Sequence, residues 1–261
     1  MPPTEPQLDA SRWVRRGPPG LALWDPASLS ADDIHALWRF RLRFMDLKPD
    51  VDPGADHAAY TAFLREASDV WVWLDGRTLV GTSAHHTGQL EFRGQTRHFV
   101  QSEYGFVDPR GRGRAVAMLS QAWVYTRMIL AHPRSPTYVV GFTYPHSYLV
   151  YAGTLSRCWL LGEPGMPAED RAFAEDLASR LGGERWDPAR RIYAFPTLPR
   201  ERRLAPASPA RAVALARYQA LNPGWSAGFG LFMFARVDPY SIAEASLSML
   251  SRARYTRTRG L

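Results

Sequence analysis

Lysine is almost absent. Lys48 is the sole one in a 261-residue chain whose Lys and Arg together number 32, against 25 acidic residues and a formal net charge of +7. The positive charge is therefore carried by arginine scattered through a sequence rich in Ala, Gly and Pro, which reads as coding bias rather than a concentrated basic face and speaks against a nucleic-acid partner. Cysteine is as scarce: the lone Cys158 excludes an internal disulfide framework and a cysteine-rich metal centre, and it fits a reducing compartment. No uninterrupted apolar run reaches the roughly 18 residues of a membrane span. The N-terminal "MPPTEPQLDA" is polar and proline-rich where a secretory leader is apolar. The expectation is a cytoplasmic chain with no membrane span.

Apolar residues make up 46% of the sequence and tryptophans number 9, enough for a sizeable core. The length suits one elaborated domain. Residues 1–20 carry Pro2, Pro3, Pro6, Pro18 and Pro19 with little apolar periodicity and read as a flexible tail. The remainder, 21–261, is expected to be a single domain.

Within it, "SADDIHALWRFRLRFM" predicts a helix capped by Ser30, with Ile34, Leu37, Trp38, Leu42 and Phe44 or Met45 near helical spacing. "ADHAAYTAFLREA" predicts a second over 55–67. The pattern then changes: Val70, Val72 and Leu74 alternate with Trp71 and Trp73, Asp75-Gly76 marks a hairpin, and "FRGQT" supplies another turn. Three antiparallel strands are expected, at about 70–75, 78–91 and 96–107. A long helix follows, on the face of Ala115, Leu119, Ala122, Trp123, Thr126 and Ile129 or Leu130. "PTYVVGFTY" predicts a buried strand, and Pro145 stands near the first turn of the next helix. Residues 163–228 hold two further helical patterns around an irregular "RRIYAFPTLPRERR", "FGLFMFARV" predicts a late strand, and Ser241 to Glu244 forms a capping-box pattern opening a helix over 241–256.

The stretch "FVDPRGRGRAVAML" joins the third of those strands to the long helix. A strand that hands over to glycines at a helix start leaves main-chain N–H groups pointing one way, and with the helix dipole they make an anion site. Gly111 and Gly113 allow close approach of a diphosphate. Arg110, Arg112 and Arg114 would add charge-assisted bonds worth about 1.5–3 kcal/mol each where desolvated. A plain basic turn and a minor-groove arm of the Arg-Gly-Arg type are the competing readings.

Arg110, Gly113 and Ala115, preceded by Val107-Asp108-Pro109, resemble the Arg/Gln-x-x-Gly-x-Gly/Ala pyrophosphate motif and Val-x-Pro of the GCN5-related N-acetyltransferases. The resemblance covers about 30–162. It implies an α/β (α+β) fold with a mixed, mostly antiparallel central sheet flanked by helices, the motif lying between the fourth strand and third helix, and 163–228 as a helical insertion. It further implies acetyl-CoA or a longer acyl-CoA as co-substrate, with Val107, Arg110, Gly111, Arg112, Gly113, Arg114 and Ala115 on the cofactor, and no metal. "YPHSYLVYAG" is similar to the family's fifth strand and following helix, whose tyrosine protonates the departing thiolate; Tyr151 takes that place. Tyr144 stands where an asparagine is usual, and Val139 where a glutamate is frequent.

The implied reaction is attack of an amine on a thioester. Positioning the two reactants can contribute roughly 7–11 kcal/mol. Deprotonating an alkyl amine of pKa about 10.4 at pH 7 costs about 4.6 kcal/mol, so a base helps. Glu103 is the candidate base, two alternations before Val107 and so expected on its face; an arginine-paired or solvent-facing carboxylate is the bland alternative. For Tyr151 the alternative is a half-buried packing residue, with Tyr148 and Ser147 as rivals for the acid role. Adjacent His85 and His86 should face opposite ways and cannot share a metal. Cys158 reads as a buried apolar thiol. The acceptor is expected to be a small-molecule amine, the donor acyl-CoA or an acyl carrier protein, and the insertion a pocket wall, a lid or a contact with a second copy. Other classes are a CoA-binding module without catalysis and a DNA-binding protein.

Overall fold

A computed structural model of the chain describes residues 21–76, 78–108, 116–201, 204, 208–241 and 243, with no side-chain description at 21, 22 and 116–119. Residue contacts divide the chain into two compact units, 1–87 with 102–124, and 88–101 with 125–261. The 1–20 tail and nearly all of the 241–256 helix fall outside the described residues.

The first unit begins with β1 (Leu21–Trp24), α1 (Ala31–Arg41), the short β2 (Met45–Leu47) and α2 (Pro53–Glu66), followed by β3 (Asp69–Asp75), β4 (Thr78–Phe92) and β5 (Gln95–Val107). Its sheet order is β1-β3-β4-β5, with β1 and β4 antiparallel to β3. Alternation along β3 decides what each face buries. Val70 and Val72 enter one core with Ile34, Leu37, Phe40, Tyr60 and Leu64 from α1 and α2. Trp71 and Trp73 enter the other, with Val80, Leu23 and Val107.

Ser30 caps α1 with its hydroxyl on the Asp33 N–H while Asp33 returns the bond to the Ser30 N–H, a reciprocal box that fixes the helix start. The helix stops at Arg41, one turn earlier than the apolar spacing predicts, and Met45 opens β2 instead. Asp52 caps α2, with Pro53 in its first turn. The two helices are bolted together: Arg41 donates to both oxygens of Asp56, and the Trp38 indole donates to the same carboxylate at 2.7 Å.

The second unit contains the N-terminal half of β5, the later part of α3 (Val116–Ala131), β6 (Thr137–Thr143), α4 (Pro145–Ala152), β7 (Cys158–Leu160), α5 (Ala168–Gly182), β8 (Trp186–Asp187), β9 (Ile192–Ala194), β10 (Thr197–Pro199), α6 (Pro209–Leu221) and β11 (Phe229–Val237). β5 and β6 pair in parallel from His98↔Thr137 to Gln101↔Val140. β11 pairs antiparallel with β6, β7 and β9, and β8 extends β9. The core gathers Tyr138, Val140, Phe142, Phe232 and Phe234 from the strands and Phe173, Ala174, Leu177 and Ala178 from α5. Each large apolar side chain so buried contributes about 1.5–3 kcal/mol.

Three expectations change. Helix α3 buries Ser120, Val124, Tyr125 and Met128 and exposes Trp123 and Leu130; residues 122–130 are apolar nearly all round, so periodicity there selects no unique stripe. Residues 163–228 contribute more than α5 and α6, because β8 and β9 join the sheet through β11. Strands of two and three residues carry too little alternation to be read from sequence. Finally, the Asp238 carboxylate accepts from both the Ser241 N–H and hydroxyl, so the cap sits three residues before the expected Ser241.

Gly230 makes the β9 attachment possible. A Cβ there would stand 2.2 Å from the Phe195 ring and 3.0 Å from the Thr143 carbonyl oxygen. The bare backbone lets rings from β6 and the β9 segment meet: Phe142 stacks on Tyr193 at 4.1 Å, and Tyr144 on Phe195 at 4.4 Å.

Candidate functional site

The site proposed from sequence starts where β5 ends. Val107 packs against Trp71, Trp73 and Val80. The Asp108 N–H donates to the Val80 carbonyl at 2.8 Å, carrying the strand pairing one residue further. The Asp108 side chain, 4% exposed, accepts from Arg43 at 2.5 Å. Helix α3 then starts at Val116. Strand and helix therefore flank the motif as expected, and β5 and α3 are the fourth strand of the sheet and the third helix along the chain. Arg110, Gly111, Arg112, Gly113, Arg114 and Ala115 themselves lie outside the described residues.

Glu103 is half-buried on β5. The count of alternations from it to Val107 passes through Tyr104, which adopts φ 52°. Strict two-residue alternation requires extended backbone at every step, so parity alone does not fix the face of Glu103. Left-handed backbone at an aromatic residue is costly and persists only where its surroundings over-determine it. Here they do: the Tyr104 ring meets Tyr60 edge-on at 4.8 Å and Phe63 at 4.7 Å, and the Arg41 guanidinium lies 5.3 Å from its centroid.

In the second unit, Tyr144 follows β6 and stands at the N-cap of α4, with Pro145 in the first turn as expected. Its hydroxyl donates to the Thr197 carbonyl at 2.6 Å. The residue standing in the asparagine position thus anchors the segment around β10. Tyr151 is 7% exposed near the C-terminal end of α4, with its carbonyl accepting from the Thr154 and Leu155 N–H groups. Val139 is wholly buried on β6.

Tyr148, a rival for the acid role, is committed elsewhere. Burial, followed by the Glu163 charge, pushes its phenol well above the ordinary value, with Arg217 acting in the opposite sense. Glu163 is itself held by Arg217 and by the Leu160 N–H at 2.9 Å. The same carboxylate, after burial, raises the Cys158 thiol. A thiol kept protonated is a poor nucleophile, although Cys158 is half-buried rather than buried as the sequence suggested.

The histidines separate as the strand period requires. His85 is fully buried, whereas His86 is partly exposed, bonded through Nε2 to the Phe63 carbonyl at 3.0 Å and packed on the Phe63 ring. Burial lowers its pKa. Sequence supplied no partner for His98 or His146; the structure stacks His98 on His132 at 3.6 Å and sets His146 edge-on to Trp225 at 6.2 Å. Among the described residues no group of three His, Cys, Asp or Glu side chains is placed to hold a metal, and no helix is long and apolar enough to cross a membrane. The Arg43–Asp108 pair went unseen in the sequence, since nothing local links residues 65 positions apart.

No family model and no curated protein matches the sequence. Similar solved structures include a probable N-acyltransferase from Enterococcus faecalis, at 12% identity over 53% of this chain and TM-score 0.38; the match spans 33% of that protein. A predicted acetyltransferase from Clostridium acetobutylicum, solved with acetyl-CoA, is similar at 13% identity over 51% of this chain and 86% of its own, TM-score 0.39. Glucosamine-6-phosphate N-acetyltransferase from Arabidopsis thaliana is similar at 10% identity over 51% and 88%, TM-score 0.34. The described chain itself has the fold class expected from the resemblance to GCN5-related N-acetyltransferases, a mixed, mostly antiparallel sheet flanked by helices.

Proposed function

We propose that the protein is an acyl-CoA-dependent N-acyltransferase that moves an acyl group from a CoA or phosphopantetheine thioester to the amine of a small molecule. The observation that carries this reading is the junction at 107–116: a strand pinned by Val107 and Asp108, then Pro-Arg-Gly-Arg-Gly-Arg-Ala in the sequence, then a 16-residue helix. Main-chain N–H groups at the mouth of α3 take the diphosphate, and Arg110, Arg112 and Arg114 add charge. The amine attacks the thioester carbonyl, the C–N bond forms as the C–S bond breaks, and the thiolate leaves with a proton. Glu103 serves as base toward the amine and Tyr151 as acid toward the thiolate.

The test has two arms. Calorimetry with CoA should show binding that Gly113→Glu abolishes while the fold survives, because a carboxylate there occupies and repels the anion. Retained binding in that variant removes the cradle from 110–115. Thiol release from acetyl-CoA with a panel of small amines then separates an enzyme from a CoA-binding module, and binding without release leaves only the latter.

A further inference from the structure

Of the 7 histidines, one pair has the spacing of metal ligands. His85 is wholly buried, and His86 is bonded to the Phe63 carbonyl. His98 and His132 lie flat on one another at 3.6 Å and 9°, so their in-plane lone pairs run side by side and do not meet at one ion. His146 faces Trp225. His35 on α1 and His57 on α2 differ: their ring centroids are 5.4 Å apart and their planes are inclined at 54°. Two imidazoles sharing a tetrahedral ion, with metal–nitrogen bonds of about 2.0–2.1 Å, stand roughly 5 Å apart by centroid. The observed separation suits a chelating pair.

That spacing is fixed from within the helix pair. Trp38 lies one turn after His35, and its indole donates to Asp56, the residue before His57; Arg41 grips the same carboxylate with both nitrogens. The Trp38 ring lies 5.7 Å from His35 and, edge-on, 5.1 Å from His57. Ligands held in place by such support lose little freedom when an ion binds. His35 is exposed and His57 half-buried, so the pair is open to water on one side. His57 Nε2 has no hydrogen-bond partner among the described residues; the imidazole is not committed elsewhere.

We propose that His35 and His57 chelate a late first-row divalent ion of the zinc, nickel or copper type, which crosslinks α1 to α2 while water completes its coordination. Imidazole nitrogen favours these ions, whereas magnesium and calcium take oxygen ligands. The site stands apart from acyl transfer and does not depend on the acyl-CoA reading.

Calorimetry of the full chain, first stripped with EDTA, against ZnCl2, NiCl2 and MgCl2 tests this, with thermal melts in parallel. Zn2+ and Ni2+ bind with a stoichiometry of one ion per chain and raise the melting temperature, because the ion binds the folded state alone; Mg2+ does neither. His35→Ala and His57→Gln each weaken binding about tenfold or more and abolish the thermal shift, since the second nitrogen of a chelate binds at high effective concentration. His146→Ala changes neither. Undiminished affinity in either folded variant, or a folded wild type that takes up no Zn2+, overturns the proposal. Should His57→Gln fail to fold, the exposed His35→Ala decides alone: lost affinity upholds the chelate and undiminished affinity refutes it.

Discussion

Arg41 meets Asp56 with both ends of its fork, at 2.8 and 3.0 Å, in a position where each side chain is only 3% exposed. The pair joins α1 to α2 and lies beneath Tyr60 and Tyr104, so it also supports the left-handed backbone at Tyr104. Burial offsets much of the Coulombic gain, but removing one partner strands the other in the core.

Asp56→Ala is therefore expected to destabilise the fold by about 3–5 kcal/mol, well beyond the effect of an exposed ion pair. Urea unfolding of that variant and of Arg41→Met measures it. A loss below about 1 kcal/mol in both would mean the bond network is dispensable.

Gly230→Ala should cost about 1–3 kcal/mol by overpacking, since the new methyl meets the Phe195 ring and the Thr143 carbonyl, and the latter is backbone that cannot swing aside. Adding Phe195→Ala removes the softer obstacle, so the double variant is expected to show non-additive losses. Strict additivity in thermal melts would speak against the notch.

Stability should fall in mild acid. The His98 pKa is lowered from 6.5, first by burial and then by the charge of His132 stacked upon it, with Glu91 acting weakly in the opposite sense. Protonation is thus less favourable in the folded chain than in the unfolded one. The unfolded state binds more protons between the folded pKa and 6.5, so stability is fully present above about pH 6.5 and is lost as pH drops below it. His86, lowered by burial, adds in the same direction. Unfolding midpoints between pH 5 and 7.5 should slope upward, and His98→Phe should flatten the slope; an equal slope in the variant would exonerate His98.

Tyr151→Phe is expected to lower kcat for acyl transfer at least tenfold while leaving CoA affinity within about threefold, the signature of a group that acts on the leaving thiolate. Steady-state kinetics beside calorimetry provide the check. An unchanged kcat returns Tyr151 to a packing role.

Much of the framework was legible in the chain. Ser30, Asp75-Gly76, Pro145 and Ser208-Pro209 punctuate the sequence where the elements begin or turn, because caps and turns are short-range devices whose chemistry lies within a few residues. The junction at 107–116 was readable for the same reason: a strand pattern, a proline, glycines and a helical pattern follow one another. What the pattern could not carry was parity across Tyr104, since a single left-handed residue leaves no mark in the hydrophobic pattern, and the two- and three-residue strands of 163–228, which are specified by neighbours rather than by themselves.

The sequence alone determined element order, capping and the basic, glycine-rich link between β5 and α3, all of which depend on contacts within one or two turns of chain. Tertiary structure decided which side chains meet: Arg43 with Asp108, Arg41 with Asp56, Tyr144 with the Thr197 carbonyl, and the rings that close over Gly230. Those partners are 65, 15, 53 and 35 residues apart (230 − 195 for the last), and only the packed chain brings such distant groups within reach of a hydrogen bond or a ring contact.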